Sequence, residues 1–243
     1  MEGLKLKKEE IRDPIDDILL NEDGIDIPPI FGYIHINFPF EPVSNQTKKI
    51  KKEIFKNKVK DKIKPFKYIL TGDVKIDIEW RLNEKVRYET DSSPDIDNII
   101  KPLMDALCGP DGILVDDCQL QAITCYWIDI YSEEEFFNIT IRCDPDLYIK
   151  KDKNLVYCQL DNGLCWPINM KYPKEVLILF INHIEKIINI DKDYPEMFKD
   201  LTEIERYYFK KYLLPLQPLF HRTRVSRFKV IGIEQLRKTI DIL

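Results

Sequence analysis

The stretch DVKIDIEWRL, Asp73 to Leu82, alternates strictly: Val74, Ile76, Ile78, Trp80 and Leu82 fall on one side, and Asp73, Lys75, Asp77, Glu79 and Arg81 on the other. Successive side chains of an extended chain point to opposite faces, so the pattern predicts a strand with one face in a core and the other in water. Working outward, FGYIHINF (Phe31 to Phe38) predicts an earlier strand that turns at Pro39, and Gln119 to Ile130 predicts a long later one. After the acidic turn Ser132-Glu133-Glu134, FFNITIRC alternates again and predicts an antiparallel hairpin with the strand before it. From Gln46 to Ile63 the apolar residues are too sparse for a deeply buried helix, which predicts a mobile helix or basic loop. A helix near Asn98 to Cys108 and a loop through GPDG complete an α+β domain, with helices packed on a mainly antiparallel sheet.

Three parts are expected in the 243 residues: an N-terminal extension over 1–29, a domain over 30–148, and a largely helical C-terminal extension over 149–243. In the last part VYCQL and LCWPI predict a hairpin turning on Asn162-Gly163. KEVLILFINHIEKIINI and EMFKDLTEIERYYFKKYLL have helical periodicity, and a short helix is expected to end the chain. The six cysteines form no C-x-x-C pair, which argues against a zinc or redox motif. The start MEGLKLKKEEIRDP has no apolar signal core, and the run Val176 to Ile181 is too short to span a bilayer. A cytoplasmic protein with reduced thiols and no membrane association is expected.

A net charge of −5 argues mildly against a chain coated in nucleic acid, but the average hides a basic block. Lys48 to Lys67 holds ten lysines against Glu53 and Asp61, which suits either a solvated face or a phosphate backbone. Next comes an acidic region, SSPDIDNIIKPLMDALCGPDGILVDDCQ, Ser92 to Gln119. Pro102 belongs in a first helical turn or at a kink, so Asp95 and Asp97 are expected in an extended or capping segment, where residues two apart share a face. Along the helix Ile99, Ile100, Leu103, Ala106 and Leu107 form one apolar arc, with Asn98, Lys101 and Asp105 opposite. Asp116-Asp117 brings a third carboxylate from a separate element.

Carboxylates are hard oxygen donors suited to Mg²⁺ or Mn²⁺, and such a set with a lysine beside it suits metal-assisted phosphodiester hydrolysis. Helix capping by Asp95 and Asp97 is the competing reading, and the spacing alone leaves both open. A calcium-binding loop is excluded by the missing D-x-D-x-D-G order, and an aspartate-nucleophile phosphatase is disfavoured because Gly109 stands two residues before Asp111.

The order D-I-D-N-x-x-K-x-x-x-D-A-L followed by D-D-x-Q resembles the RusA family of Holliday junction endodeoxyribonucleases. The matching residues are Asp95, Asp97, Asn98, Lys101, Asp105, Ala106, Leu107, Asp116, Asp117 and Gln119. Pro42-Val43-Ser44-Asn45 resembles the family's segment that leads into a basic, DNA-facing region, here Asn45, Lys48, Lys49, Lys51 and Lys52. The resemblance covers residues 30 to 145. It implies an α+β homodimer that binds branched DNA, a four-way junction, and cuts it with Mg²⁺, Mn²⁺ being a possible substitute. By motif position Asp95, Asp97 and Asp117 are the implied metal ligands, and Lys101 the residue that stabilises the transition state or positions the phosphate. Asn98 and Asp116 are implied supporting residues, and Asp105 orients Lys101 across one turn. Where the family carries arginines before its first aspartate, this chain has Glu89-Thr90-Asp91-Ser92-Ser93-Pro94.

Residues outside the motif read mostly as structural. His35 and His183 suit packing or surface positions, and Trp80, Trp127 and Trp166 suit a core or interface. His221 with Arg222, Arg224 and Arg227 reads as a solvated basic turn or a phosphate contact. The second functional expectation is a non-catalytic DNA-binding or assembly module whose C-terminal extension engages a protein partner.

Overall fold

The computed structural model describes residues 23–90, 95–131, 136–160, 163–213 and 218–242. Most of the expected N-terminal extension, Asp91, the Ser132-Glu133-Glu134 turn and Asn162 lie outside the described residues. In chain order the first unit contains α1 (Asp23–Asp26), β1 (Tyr33–Phe38), α2 (Lys49–Ile63), β2 (Tyr68–Leu70), β3 (Val74–Asn83), α3 (Glu84–Glu89) and α4 (Ile96–Leu107). A 3-10 turn (Asp117–Gln119), β4 (Leu120–Ile130), β5 (Phe136–Cys143) and β6 (Tyr148–Lys150) complete it. The second unit contains β7 (Leu155–Gln159), β8 (Leu164–Asn169), α5 (Lys174–Asp193), α6 (Pro195–Phe198), α7 (Glu203–Leu213), β9 (Phe220–His221), β10 (Val230–Gly232) and α8 (Ile233–Ile242).

β3 has the predicted alternation: Val74, Ile76, Ile78, Trp80 and Leu82 are all buried. A strand this regular takes a central place, and the main sheet runs in the order β1-β5-β3-β4. β5 pairs antiparallel with β3, setting Ile78 opposite Ile139 and Trp80 opposite Phe137. The expected hairpin between β4 and β5 does not form, because β3 lies between them. β4 pairs with β3 in parallel. Parallel neighbours need a long crossover, and α4 lies on it, so the helix carrying the acidic motif is fixed to the sheet at both ends. β4 has no fully buried residue and sits at the sheet edge.

The basic segment is a helix of 15 residues, not a loop. Phe55, Val59 and Ile63, four residues apart, form a narrow buried stripe that packs with Leu103, Leu107, Ile139 and Trp80 in one core. Three apolar side chains suffice, since each is worth roughly 1.5–3 kcal/mol on full burial, and the lysines keep the other faces in water.

The second unit is not helices alone. Its sheet runs β10-β7-β8-β9, and the β7–β8 hairpin turns at Gly163, whose φ of +78° favours glycine. Strand alternation divides the sheet's contacts. Val156, Cys158, Trp166 and Ile168 pack under α5 and α8 with Leu177, Ile181, Ile184, Leu236 and Ile240. Tyr157 and Cys165 point the other way, into a cluster with Ile69 and Val115 of the first unit and Phe220, Val225 and Phe228 of the second. The two units therefore share a small core directly behind Asp116.

Candidate active site

The motif helix begins earlier than its sequence predicts. Asp95 is the N-cap residue, in extended geometry, and Asp97 already lies in the first turn of α4. Helical geometry at Asp97 removes the shared extended face expected for this pair. Pro102 sits inside the helix and leaves the Asn98 carbonyl without its usual partner. The backbone N–H of Asn45 takes that carbonyl at 2.7 Å, docking the loop before α2 onto the motif helix. Lys52 Nζ then donates to the Asn45 carbonyl at 3.0 Å. Lys48, Lys49 and Lys51 extend from this junction and are exposed.

Asp95 and Asp97 are exposed, and among the described residues no cation pairs with either. One turn along, Lys101 Nζ lies 3.2 Å from Asp105 Oδ1 and 3.3 Å from Asp117 Oδ2, joining the helix to the acidic turn. The Asp105 hydrogen bond raises the Lys101 pKa, partial desolvation opposes the rise, and the Asp105 charge and Asp117 add to it. Lys101 is thus a firmly charged ammonium. Half-burial pushes the Asp105 carboxyl up, but Lys101, Lys56 and Arg227 outweigh it, so its pKa lies below the ordinary carboxylate value.

Gln119 fixes the acidic turn from beneath. Its side-chain amide is buried and donates to the Leu70 and Gly72 carbonyls at 2.9 and 2.8 Å. Its Oε1 accepts from the backbone N–H groups of Val115 and Asp116 at 2.7 and 3.1 Å. Asp116 caps the 3-10 turn by accepting from the Cys118 N–H, which leaves Asp117 half-exposed on the rim. The glycine-rich loop feeding this turn folds back on α4: Ile113 and Leu114 N–H both donate to the Leu107 carbonyl. A Cβ at Gly112 would stand 2.2 Å from that oxygen, so no other residue fits.

Two arginines with no definite role in the sequence pattern reach these carboxylates. Arg224 Nη1 is 3.3 Å from Asp116 Oδ1 and 3.9 Å from Asp117 Oδ1, and Arg227 Nη2 is 3.1 Å from Asp105 Oδ1. Their clustering in Arg222 to Lys229 was the available signal, but nothing local tells where that turn docks. His35 contacts Thr140 and His221 contacts Thr223.

The donor set is hard oxygen throughout and lies at the surface, which fits a hydrated divalent ion such as Mg²⁺ by chemistry. Among the described residues no group of three or more His, Cys, Asp or Glu side chains stands close enough to hold a metal ion. Asp117 shares its oxygens between Lys101 and Arg224, so metal binding would require it to give up at least one of these contacts. Among the described residues no helix is long and apolar enough to cross a membrane.

The family model described as endodeoxyribonuclease RusA matches residues 39–142, from the end of β1 nearly to the end of β5. All the expected site residues fall within that span. No curated protein matches the chain.

Proposed function

Because residues 39–142 carry a RusA-family segment, we propose that the protein is a Mg²⁺-dependent endodeoxyribonuclease that hydrolyses phosphodiester bonds in branched DNA during recombination or repair. The observation that carries this reading is the Lys101–Asp117 contact at 3.3 Å, which sets a charged ammonium beside the acidic turn on the surface that also bears Asp95 and Asp97. Asp95, Asp97 and Asp117 would hold the ion. When bound, Mg²⁺ lowers the pKa of an attacking water and neutralises charge on the phosphate.

The chain's own groups do the rest. Lys101 faces the phosphate and stabilises the charge that grows on its oxygens, while Asp105 limits the lysine's freedom from one turn away. Gln119 keeps Asp117 at a constant height on the rim. Asn45, Lys48, Lys49, Lys51 and Lys52 track the DNA backbone, which positions the strand without reading its sequence. Symmetric cutting of a four-way junction calls for two such sites, hence a homodimer.

Incubating the protein with a four-way junction and a linear duplex of matched sequence, with Mg²⁺ or Mn²⁺, tests the reading. Metal-dependent cutting of the junction is expected; folded protein that cuts neither DNA would remove the activity. Tight junction binding without cutting would instead select a non-catalytic DNA-binding or assembly module. The exposed Ile204, Tyr207 and Tyr208 on α7 suit the protein partner that this second reading calls for.

A further inference from the structure

Arg224 and Arg227 belong to the second unit, yet their side chains end among the carboxylates of the first. The turn that carries them is firmly built. Val225 and Phe228 are buried in the same cluster as Val115, the residue directly before Asp116. Backbone bonds from Arg222 N–H to the Gly163 carbonyl, Arg224 N–H to His221 and Phe228 N–H to Val225 hold its shape. One apolar plug thus anchors both the basic turn and the acidic turn, and their spacing is set by packing rather than by the chance meeting of surface charges.

The two arginines are placed for different tasks. Arg227 closes the end of α4: Nη1 donates to the Asp105 and Cys108 carbonyls at 2.9 and 3.3 Å, and Nη2 reaches the Asp105 carboxylate. A Cβ at Gly109 would meet its Cδ at 3.2 Å, so the loop accommodates it closely. Among the described residues Arg224 pairs through Nη1, with Asp116 and Asp117, and its side chain is 51% exposed, which leaves further guanidinium donors for a ligand. A guanidinium presents a planar fork that matches two phosphate oxygens. The Asp117 contact, 3.9 Å between side chains 51% and 42% exposed, is weak and yields to a phosphate at little cost, while Asp116, 16% exposed, keeps the Cys118 N–H when the guanidinium turns away.

We propose that the turn formed by residues 222–227 is one wall of the nuclease site, with Arg224 contacting the phosphate under attack from the side opposite Lys101 and Arg227 positioning the motif helix. The inference rests on the nuclease reading for its chemistry. It gives the second unit a function: it supplies a cation that the family-matched span lacks at this position. When DNA binds, Arg224 shifts from Asp116 and Asp117 to the phosphate, which releases Asp117 Oδ1 while Lys101 stays on Oδ2.

The test uses full-length wild type, Arg224→Ala, Arg224→Lys and Asp117→Asn, with thermal melts to verify folding. Single-turnover cutting of a junction is measured in Mg²⁺, and junction binding is measured across a salt series in Ca²⁺. Arg224→Ala is expected to cut about 10²-fold more slowly, as when one preorganised charge donor is lost. Its binding should show a log–log salt slope shallower by about one, as for one lost phosphate contact, and Arg224→Lys should recover part of both. Arg224→Ala cutting at or above the wild-type rate overturns the inference, the faster case marking Arg224 as a brake on Asp117. Slower cutting with an unchanged salt slope also overturns it, since Arg224 would then act only through the carboxylates. If wild type cuts nothing, the nuclease reading has failed, and the salt slope alone decides whether Arg224 touches phosphate.

Discussion

The backbone N–H of Asn45 donates to the Asn98 carbonyl at 2.7 Å, and that carbonyl is available because Pro102, four residues on, has no N–H to offer it. A helix defect on one element becomes the docking point for another. Pro102→Ala supplies the missing donor, so Asn98 can complete its helical bond and release Asn45. Amide exchange at Asn45 should then quicken by about five- to tenfold, the loss of roughly 1 kcal/mol for one such bond. Junction affinity should fall with it, because Lys48, Lys49 and Lys51 lose their fixed origin. Unchanged exchange at Asn45 would show that other contacts hold the loop.

Asp97→Asn and Asp117→Asn should separate chemistry from folding. Both residues are solvent-accessible, and the pair that Asp117 makes with Lys101 is 42% and 53% exposed on its two sides, so little stability is at stake, about 1 kcal/mol at most. Cutting should drop by at least about 10²-fold in either variant. Isothermal titration with Mn²⁺ gives an independent check: the heat of binding should shrink in both. A variant that cuts at the wild-type rate would remove its residue from the site.

What could be read from the sequence depended on the range of the interaction. The alternation of Val74 to Leu82 is a local consequence of one buried face, and the strand appears where that pattern puts it. Lys101 and Asp105 share a helix face, so their pairing is also legible. The neighbours of β3 are not, because β4 follows it through a crossover while β5 returns to its other edge, and a residue pattern does not encode that choice. The helix at Lys49 to Ile63 was obscured by lysines that outnumber its buried stripe. Arg224 meets Asp116 across 108 residues, which only the shared core around Val115 and Val225 explains.

Gln119 should be among the most sensitive residues for folding. Gln119→Leu keeps approximate volume but strips two carbonyls and two amides of their partner in a buried place. A loss of about 2–4 kcal/mol is expected in urea unfolding. The acidic turn would loosen as well, so cutting should fall even at temperatures where the variant stays folded. A loss below about 0.5 kcal/mol would mean that water replaces the side chain readily.

Lys151 gives the chain a pH signature unrelated to the site. Its Nζ is buried without a hydrogen-bond partner among the described residues, and burial lowers its pKa to about 8, with Asp111 opposing the shift and Lys67 reinforcing it. The folded-state pKa thus lies below that of the unfolded chain, about 10.4, and unfolding takes up a proton between the two. The destabilisation is complete below about pH 8 and fades as the pH rises toward the unfolded value, because both states are then neutral. Lys151→Met removes the charge and keeps the apolar stem. It should stabilise the protein by about 1–2 kcal/mol at pH 7, a figure discounted for partial exposure, and by much less at pH 10. Melting both proteins across that range tests the sign: a gain that grows with pH, or none at pH 7, would show that the ammonium reaches water in the folded state.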